Sequence, residues 1–114
     1  MQKVLLNAKT ATATSDGVSI EGLRDITFQF ICADHSSGNG VFTIDGSNDG
    51  TNWATALSFL DVTATAVGTQ VASKTLSADG SGAGYIKDCG FKMLRAVVTR
   101  TTDGTYTCIL SKKI

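Results

Sequence analysis

Six consecutive residues between two predicted strands carry the kind of side chains that bind calcium. The run DGSNDG at Asp45–Gly50 partly matches the oxygen-rich loop D-x-[DN]-x-[DN]-G. Asp45, Ser47 and Asp49 would supply three of the several oxygen ligands that the ion takes. However, Ala56 occupies the position where the motif needs a bidentate Glu, and a β-hairpin is the wrong setting for a motif that joins two helices. We therefore interpret the run as a hairpin turn without a metal site.

His35 is the only histidine, and it lies in a polar loop, Ala33–Gly40. A Ser-His-Asp arrangement could be drawn from Ser36 or Ser37 and Asp34, but near neighbours in one loop cannot adopt the geometry that such a triad needs. The sequence contains no G-x-S-x-G motif, and one histidine with scattered cysteines makes no metal set. We interpret His35 as a solvated loop histidine.

The carboxylates and glycines give no sign of an active site or a nucleotide site. Glycoside cleavage would need two acids in one cleft. Several aspartates instead fall near the ends of predicted strands, where Asp commonly forms turns: Asp25, Asp34, Asp45, Asp61 and Asp88. Neither G-x-G-x-x-G nor a P-loop is present. We therefore expect no enzymatic activity and no cofactor.

The cysteines, Cys32, Cys89 and Cys108, are odd in number and show no C-x-x-C spacing. This pattern does not make a disulfide framework or a zinc site. We interpret them as free, buried, small hydrophobic residues. A bridge between Cys32 and Cys108 across two packed strands is the alternative, which only geometry can decide.

The charge balance excludes several classes of partner. Ten acidic and ten basic residues leave no electrostatic footprint for nucleic acid or for an anionic membrane. No apolar run approaches the roughly 18 residues that span a bilayer, and Val4–Leu6 is too short for a signal peptide, so we expect synthesis in the cytoplasm. Only 18% of residues are charged, so Ser, Thr, Gly and Asn must form much of the surface. Such a surface suits contact with other chains.

The elements that must position these residues are short alternating segments divided by Asp-Gly turns. The clearest is Ile26–Cys32, whose apolar residues repeat with the period of two that is typical of a half-buried strand. Ile31 breaks that alternation by pointing outward, which indicates that the outer face is partly covered. Tyr106–Leu110 alternates in the same way. Phe91–Arg100 contains helix-favouring residues, but its β-branched run at Val97–Thr99 favours a strand.

The remaining segments are assigned from the same signals. Strands are predicted at Val4–Lys9, around Val18 and Ile20, at Ala54–Leu60 with a bulge, and at Gln70–Leu76. Lys9–Thr14 continues in extended form, and Asp61–Gly68 is a loop or an edge strand. Ser77–Gly84, with the sequence SADGSGAG, is predicted to be the most flexible segment.

The hairpin Gly40–Trp53 is the predicted centre of the domain. Phe42 and Ile44 alternate with polar residues before the turn, and Trp53 begins the return strand. A ring as large as Trp53 is most easily placed by folding it over the core that Phe42 and Ile44 face. With no proline and no convincing helix, the chain is predicted to form one antiparallel β-sandwich, jelly-roll-like, across residues 1–114.

Two segments resemble those of small phage virion structural proteins. The phrase GSNDGTNW at Gly46–Trp53 looks like their "GS-DG-NW" hairpin, and Met93–Thr99 and Gly104–Ser111 resemble their last pair of strands. The resemblance implies a capsid-decorating or tail-associated subunit that is oligomeric, is assembled in the host cytoplasm into the virion and has no catalytic activity. The same segments also resemble discoidin-like and galactose-binding-like jelly rolls, whose loops bind sugar or calcium. The sequence lacks the paired cysteines and loop aromatics of that second family.

These resemblances lead to two functional hypotheses. The first is a virion structural protein that binds other virion proteins and further copies of itself, with Ile31 and the Lys9–Thr14 arm as contacts. The second is a carbohydrate-binding module that uses the loops Ala33–Gly40 and Asp45–Trp53. The candidate interaction or ligand residues are His35, Asn48, Asp49, Asn52, Trp53 and Ile31.

Overall fold

Two antiparallel sheets lie face to face, and side chains from both fill the space between them. The computed structural model describes residues 2–63 and 68–112. These residues contain no helix, and so none that could cross a membrane. The strands are β1 (Gln2–Lys9), β2 (Ala13–Thr14), β3 (Val18–Ser19), β4 (Ile26–Ala33), β5 (Gly38–Ser47), β6 (Phe59–Asp61), β7 (Thr69–Val71), β8 (Lys74–Leu76), β9 (Gly80–Ile86), β10 (Met93–Thr102) and β11 (Thr105–Lys112). The predicted all-β antiparallel sandwich is confirmed.

The two longest strands, β5 and β10, form the middle of the smaller sheet. The six-stranded sheet, here called sheet A, has the order β1-β11-β4-β9-β6-β7. The five-stranded sheet, sheet B, has the order β2-β10-β5-β8, and β3 also pairs with β10. β10 pairs with β5 along its whole length, from Met93↔Ser47 to Thr102↔Gly38. The narrower expectation of a jelly roll stays a prediction.

The core confirms the alternation that was predicted for β4 and β11. The inward residues of β4, from Ile26 to Cys32, are at most 2% exposed, and Tyr106, Cys108 and Leu110 of β11 are fully buried. Leu6 is the buried residue of β1.

Aromatic rings join the two sheets at the centre of the core. Phe30 of sheet A lies 4.9 Å from Phe42 of sheet B and 5.6 Å from Phe59, between ring centroids. Tyr106 meets the edge of Phe42 at 5.9 Å. Tilted and edge-to-face pairs of this kind add stability beyond the area that they bury. The core is therefore filled by these rings, without the indole of Trp53.

The segment Ser77–Gly84 is not flexible as predicted, because most of it lies in β9. This strand pairs with β4 on one side and with β6 on the other. A Cβ atom at Gly84 would come within 2.7 Å of Cδ2 of Phe59, so the glycine makes room for a ring. Composition predicted flexibility here because it takes no account of bulky side chains that lie over the strand.

The predicted hairpin at Gly40–Trp53 forms only its first strand, β5. No return strand begins at Trp53. Instead, Gly46 and Ala54 exchange backbone hydrogen bonds of 2.8 and 2.9 Å in an isolated bridge. Residues 48–57, hereafter the Trp53 loop, therefore run beside the end of β5 as irregular chain. Of the strand predicted at 54–60, only its last two residues lie in a strand, β6.

The strand predicted at Gln70–Leu76 is two short strands in different sheets, β7 in sheet A and β8 in sheet B. Nζ of Lys74 in β8 lies 3.0 Å from Oδ2 of Asp61 in β6, and both side chains are largely buried. Burial raises the pKa of Asp61, but hydrogen bonds from Lys74 and Thr63 outweigh it and leave that pKa below its ordinary value. This ion pair joins the sheets at the edge of the core. Residues 64–67, within the predicted loop or edge strand 61–68, lie outside the described residues.

All three cysteines are free. Cys32 pairs with Tyr106 and Cys108 with Phe30, so the two cysteines lie diagonally on neighbouring strands. Diagonal positions are about 7–8 Å apart, whereas bridged cysteines have Cα atoms within about 7 Å. Burial raises the pKa of Cys108 to about 12 and also raises that of Cys32. The interpretation as buried hydrophobic thiols is confirmed for these two, while Cys89 is half-buried.

Candidate functional site

Asp49 organises the tip of the Trp53 loop. Its Oδ1 accepts hydrogen bonds of 2.8 Å from the backbone N–H groups of Thr51 and Asn52, and its Oδ2 accepts one from the Asn52 side chain. The Ser47 hydroxyl also lies 3.0 Å from Oδ1. The bonds from Asn52, followed by those from Thr51 and Ser47, hold the pKa of Asp49 well below its ordinary value. The carboxylate therefore holds the loop itself together.

Asn48 has a similar local role. Its side-chain oxygen accepts a hydrogen bond of 3.0 Å from the backbone N–H of Lys92, which joins the loop to the segment before β10. Together with Asn52 and Asp49, it supplies polar groups that already have partners within the protein. The loop therefore satisfies these polar groups through hydrogen bonds within the protein.

Trp53 lies on the outer face of sheet B and not over the core, which corrects the prediction. Its ring centroid is 4.3 Å from the guanidinium carbon of Arg95, an outward residue between buried Leu94 and Ala96. On its far edge, a Cβ at Gly17 would come within 2.7 Å of the ring. The alternation of β10 determines this placement: the core side is already filled by other rings, and the outer side offers a cation that attracts the face of an indole.

Arg95 is held in turn by Asp45. Nε of Arg95 lies 2.9 Å from Oδ2 of Asp45, whose side chain is only 4% exposed. The other oxygen of Asp45 accepts a hydrogen bond of 3.0 Å from the backbone N–H of Ala56. Asp45, the first carboxylate of the calcium-like motif, therefore binds Arg95 with one oxygen and the backbone of the Trp53 loop with the other. Among the described residues, no group of three or more His, Cys, Asp or Glu side chains is arranged to hold a metal ion.

A shallow depression lies beside this loop, lined in part by Asn48, Asn52, Trp53 and Phe91. Two of its lining residues, Trp53 and Phe91, are aromatic. Its polar side chains form the hydrogen bonds just described, so they would bind a sugar only by giving up bonds within the protein or by sharing them.

His35 lies far from the Trp53 loop. The loop of His35 precedes Gly38, the first residue of β5, whereas the Trp53 loop follows Ser47, the last. Ten residues of strand span on the order of 30 Å. The predicted loop residues therefore do not converge on one site.

The loop of His35 is fixed by two aspartates from other turns. The backbone N–H of His35 donates to Asp79, and those of Ser36 and Ser37 donate to Asp103. The hydroxyl and the backbone N–H of Ser36, with the N–H of Ser37, lower the pKa of Asp103 to about 2. His35 is half-buried, not fully solvated, and its Nε2 lies 2.7 Å from the carbonyl oxygen of Gly38.

Ile31 lies on a third surface, the outer face of sheet A. Its cross-strand partners are Thr107 of β11 and Ser81 of β9. Residues paired across strands share a face of the sheet, so the pairing lists the outward residues row by row. The first row is Gln2, Ser111, Thr27, Tyr85, Leu60 and Gln70; the second is Val4, Ile109, Gln29 and Ala83; the third is Thr107, Ile31 and Ser81; and the fourth is Thr105 and Ala33.

No charged side chain occurs in these four rows of described residues. The lysines of β1 and β11, Lys3, Lys9 and Lys112, pair with the inward residues Leu110, Tyr106 and Ile26, so they lie at the rim and not on this face. A shallow depression near the middle of the face is lined in part by Gln29, Ser81, Ala83 and Ile109. We call these four rows the uncharged face.

The two most exposed large apolar residues of the described chain lie on this surface and at its border. Val4 is 49% exposed and pairs with Ile109 in the second row. Val62 is 44% exposed and follows β6, and its N–H donates to the carbonyl oxygen of Ala83 at the other end of that row. Depletion of charge with apolar residues spread across a flat area is typical of the centre of a protein interface.

Sequence reasoning found Ile31 but missed the rest of the uncharged face. The alternation within β4, β9 and β11 marks which residues point outward, but not which strands are neighbours. The Thr-rich arm at 9–14, which was predicted to contact other subunits, instead bonds to β10 of its own chain. Its Thr12 hydroxyl accepts a hydrogen bond of 3.0 Å from the N–H of Arg100, and β2 pairs with β10.

Comparison with known proteins yields a likeness of fold. No family model matches the chain, and no curated protein matches it significantly in sequence. The structure resembles the crystal structure of SPBc2 prophage-derived protein YomS, with a TM-score of 0.74 and 14% sequence identity, over 96% of this chain and 89% of that one. At this identity the likeness concerns the fold alone.

Proposed function

We propose that this chain is a structural subunit of a phage virion, a decoration or tail-associated protein that acts by binding other proteins and not by catalysis. The uncharged face of sheet A carries this proposal, because it is a broad surface of apolar and small polar side chains. Burying such a surface against another protein removes apolar area from water and leaves no charge without a partner.

The fold likeness supports the phage part of the proposal. YomS is prophage-derived, and it matches this chain along almost all of its length. The motifs GSNDGTNW and GTYTCILS, which resemble those of small virion proteins, lie in the Trp53 region and in β11. The fold likeness supports a phage-related protein, and the sequence resemblance supports the narrower class of small virion proteins.

Carbohydrate binding is the competing function, and the geometry favours it less. Trp53 already contacts Arg95 with its ring, and Asp49 already accepts hydrogen bonds from its own loop. A glycan array with the intact chain tests this alternative directly. Binding that disappears in Trp53→Ala, with the fold retained by circular dichroism, would replace our proposal with a carbohydrate-binding module.

Detection of the chain in purified particles tests the proposal. The phage or prophage that encodes the chain would be induced, and its particles purified on a density gradient and examined by mass spectrometry. We expect the chain to band with the particles at a fixed ratio to the major capsid or tail protein. A chain that stays in the soluble fraction, with none in washed particles, would overturn the virion role.

A matched pair of variants connects the result to the surface. Gln29→Lys places a charge in the middle of the uncharged face, while Thr99→Lys places the same charge at an exposed position on β10 of sheet B. We expect Gln29→Lys to reduce incorporation into particles and Thr99→Lys to leave it unchanged. The reverse pattern would assign assembly to sheet B.

A further inference from the structure

We infer that the partner on the uncharged face is a second copy of this chain, packed face to face about a two-fold axis near Gln29. This inference rests on the proposed function and names the first partner that the subunit binds. The size of the face, its lack of charge and the arrangement of its side chains support a second copy as the partner.

The face is large enough for a stable interface. Its four long strands, β1, β11, β4 and β9, have seven or eight residues each and lie side by side. At about 4.8 Å between strands and about 3.3 Å per residue, they give a plan area on the order of 500 Å². The short strands β6 and β7, of three residues each, bring it to about 600 Å². This exceeds the roughly 500 Å² per partner that a specific interface must clear and is below the roughly 800 Å² of one of standard size.

The charge of the face favours a partner that is equally uncharged. A charged partner surface would lose water on docking here without gaining an opposite charge, which is costly. The chain itself supplies a surface of the right kind, and its net charge of zero means that two copies do not repel each other at long range. On sheet B, by contrast, the outer face contains Arg95 and Asp45.

The arrangement of side chains is compatible with self-pairing. The outward residues of β11 and β9 are complementary in size: Ile109 of β11 is large where Ala83 of β9 is small, and Ser111 of β11 is small where Tyr85 of β9 is large. In a two-fold interface the same patch serves both copies. An axis that runs along β4 near Gln29 lays β11 of each copy over β9 of the other, so Ile109 meets Ala83 and Ser111 meets Tyr85. The depression lined by Gln29, Ser81 and Ala83 lies where such a contact is needed.

The mass of the intact chain in solution tests this inference. The chain has a mass of 11.9 kDa, so light scattering or sedimentation at about 100 µM, well above a micromolar Kd, should give twice that value. Two lysines facing each other across the axis in Gln29→Lys should weaken the dimer by about a hundredfold or more. Thr99→Lys, the control on sheet B, should remain dimeric. A wild-type chain that stays monomeric at this concentration would overturn the inference.

A charge swap identifies the partner as a second copy. Gln29→Glu alone should also dissociate, because two carboxylates would then meet near the axis. Mixing Gln29→Glu with Gln29→Lys should restore a dimer that contains one chain of each kind, which native mass spectrometry would distinguish. If the two variants are monomeric alone but do not combine, Gln29 is not near a two-fold axis and the proposed geometry is wrong.

The outcome is separable from that of the proposed function. A monomeric wild type whose chain is nevertheless present in purified particles would leave the virion role intact and assign the uncharged face to another virion protein. A dimer that is absent from particles would overturn the virion role and leave the self-association standing.

Discussion

The outer faces of the two sheets differ in one respect that bears on function. On sheet B, the chain covers part of the face itself, with the indole of Trp53 lying over Arg95 and with Asp45 paired beneath the Trp53 loop. On sheet A, the middle rows of the outer face contain no charged side chain among the described residues. Both faces belong to strands that share the same core.

The two faces differ in whether they need to be covered by the chain itself. A charged pair on a sheet face needs a cover that lowers its exposure and satisfies its hydrogen bonds, and the Trp53 loop supplies one. An uncharged face needs no such cover to be stable, so it is free to meet another protein. Substitutions in the covered pair of Arg95 and Asp45 on sheet B should therefore change the stability of the chain, whereas substitutions on the uncharged face of sheet A should change its assembly.

The largest effect on stability is expected from Asp45→Ala. The substitution leaves Arg95 without its carboxylate and the N–H of Ala56, in the Trp53 loop, without its acceptor. Removing one partner of a buried pair costs about 3–5 kcal/mol, and we expect about 3 kcal/mol because Arg95 is 26% exposed. Urea unfolding followed by Trp53 fluorescence measures this loss of free energy of unfolding.

Arg24→Ala is the matched control for that variant. Arg24 also pairs with an aspartate, Asp88, but its side chain is 82% exposed. Solvent screens such a pair, so the urea midpoint should stay where it is in the wild type. Equal losses in the two variants would show that the Trp53 loop does not shield Asp45.

Trp53→Ala is expected to have the next largest effect. It removes a half-buried ring and its contact with the guanidinium group of Arg95, which together are worth about 2 kcal/mol. Trp53→Phe should recover part of that loss, because it keeps a ring on Arg95. Unfolding followed by circular dichroism measures both variants, since the only tryptophan is then absent. A Trp53→Ala protein as stable as the wild type would mean that the loop covers the pair without its indole.

Strands with one face toward the core could be predicted from the alternation of their residues. The candidate site could not be predicted in this way. β4 and β11 were predicted correctly because alternating residues such as Phe28 and Leu110 must all face the same core. The glycines of β9 were misread because the rings that need the space, such as Phe59, come from distant segments. Local sequence gives the period of a strand, but not what lies over it.

The candidate site residues lie apart in the structure, because local sequence does not show which segments become neighbours. His35, Trp53 and Ile31 lie at one end of β5, at the other end of the strand, and on the opposite sheet. Nothing in the sequence gives the order β1-β11-β4-β9-β6-β7, and that order alone brings the outward residues together into the uncharged face. The side on which Trp53 packs depended on Arg95, more than forty residues away.

Acid should affect the end of the sandwich that contains His35. Hydrogen bonds from Ser36 and Ser37 lower the pKa of Asp103 to about 2 from an ordinary 3.8. The group thus stabilises the fold fully above pH 3.8, and that contribution is lost as pH falls from 3.8 through 2. Asp103→Asn should be less stable than the wild type at pH 5, and the gap should narrow below pH 3.8 and be small at pH 2. Urea midpoints across this range measure it, and a gap independent of pH would mean that the charge of Asp103 is not what holds the loop.

The smallest effect on stability is expected on sheet A. Gln29 is exposed and makes no contact that a lysine would break, so Gln29→Lys should change the free energy of unfolding of the monomer by less than about 0.5 kcal/mol. Unfolding must be measured at a protein concentration low enough to dissociate any oligomer, because association adds to apparent stability. Trp53 fluorescence gives that sensitivity, and Thr99→Lys is the control on the other sheet. A small change in stability combined with a large change in assembly would support the assignment of the uncharged face to assembly and not to folding. A loss of several kcal/mol in the monomer would mean instead that the uncharged face stabilises the fold and that its lack of charge is no sign of a partner.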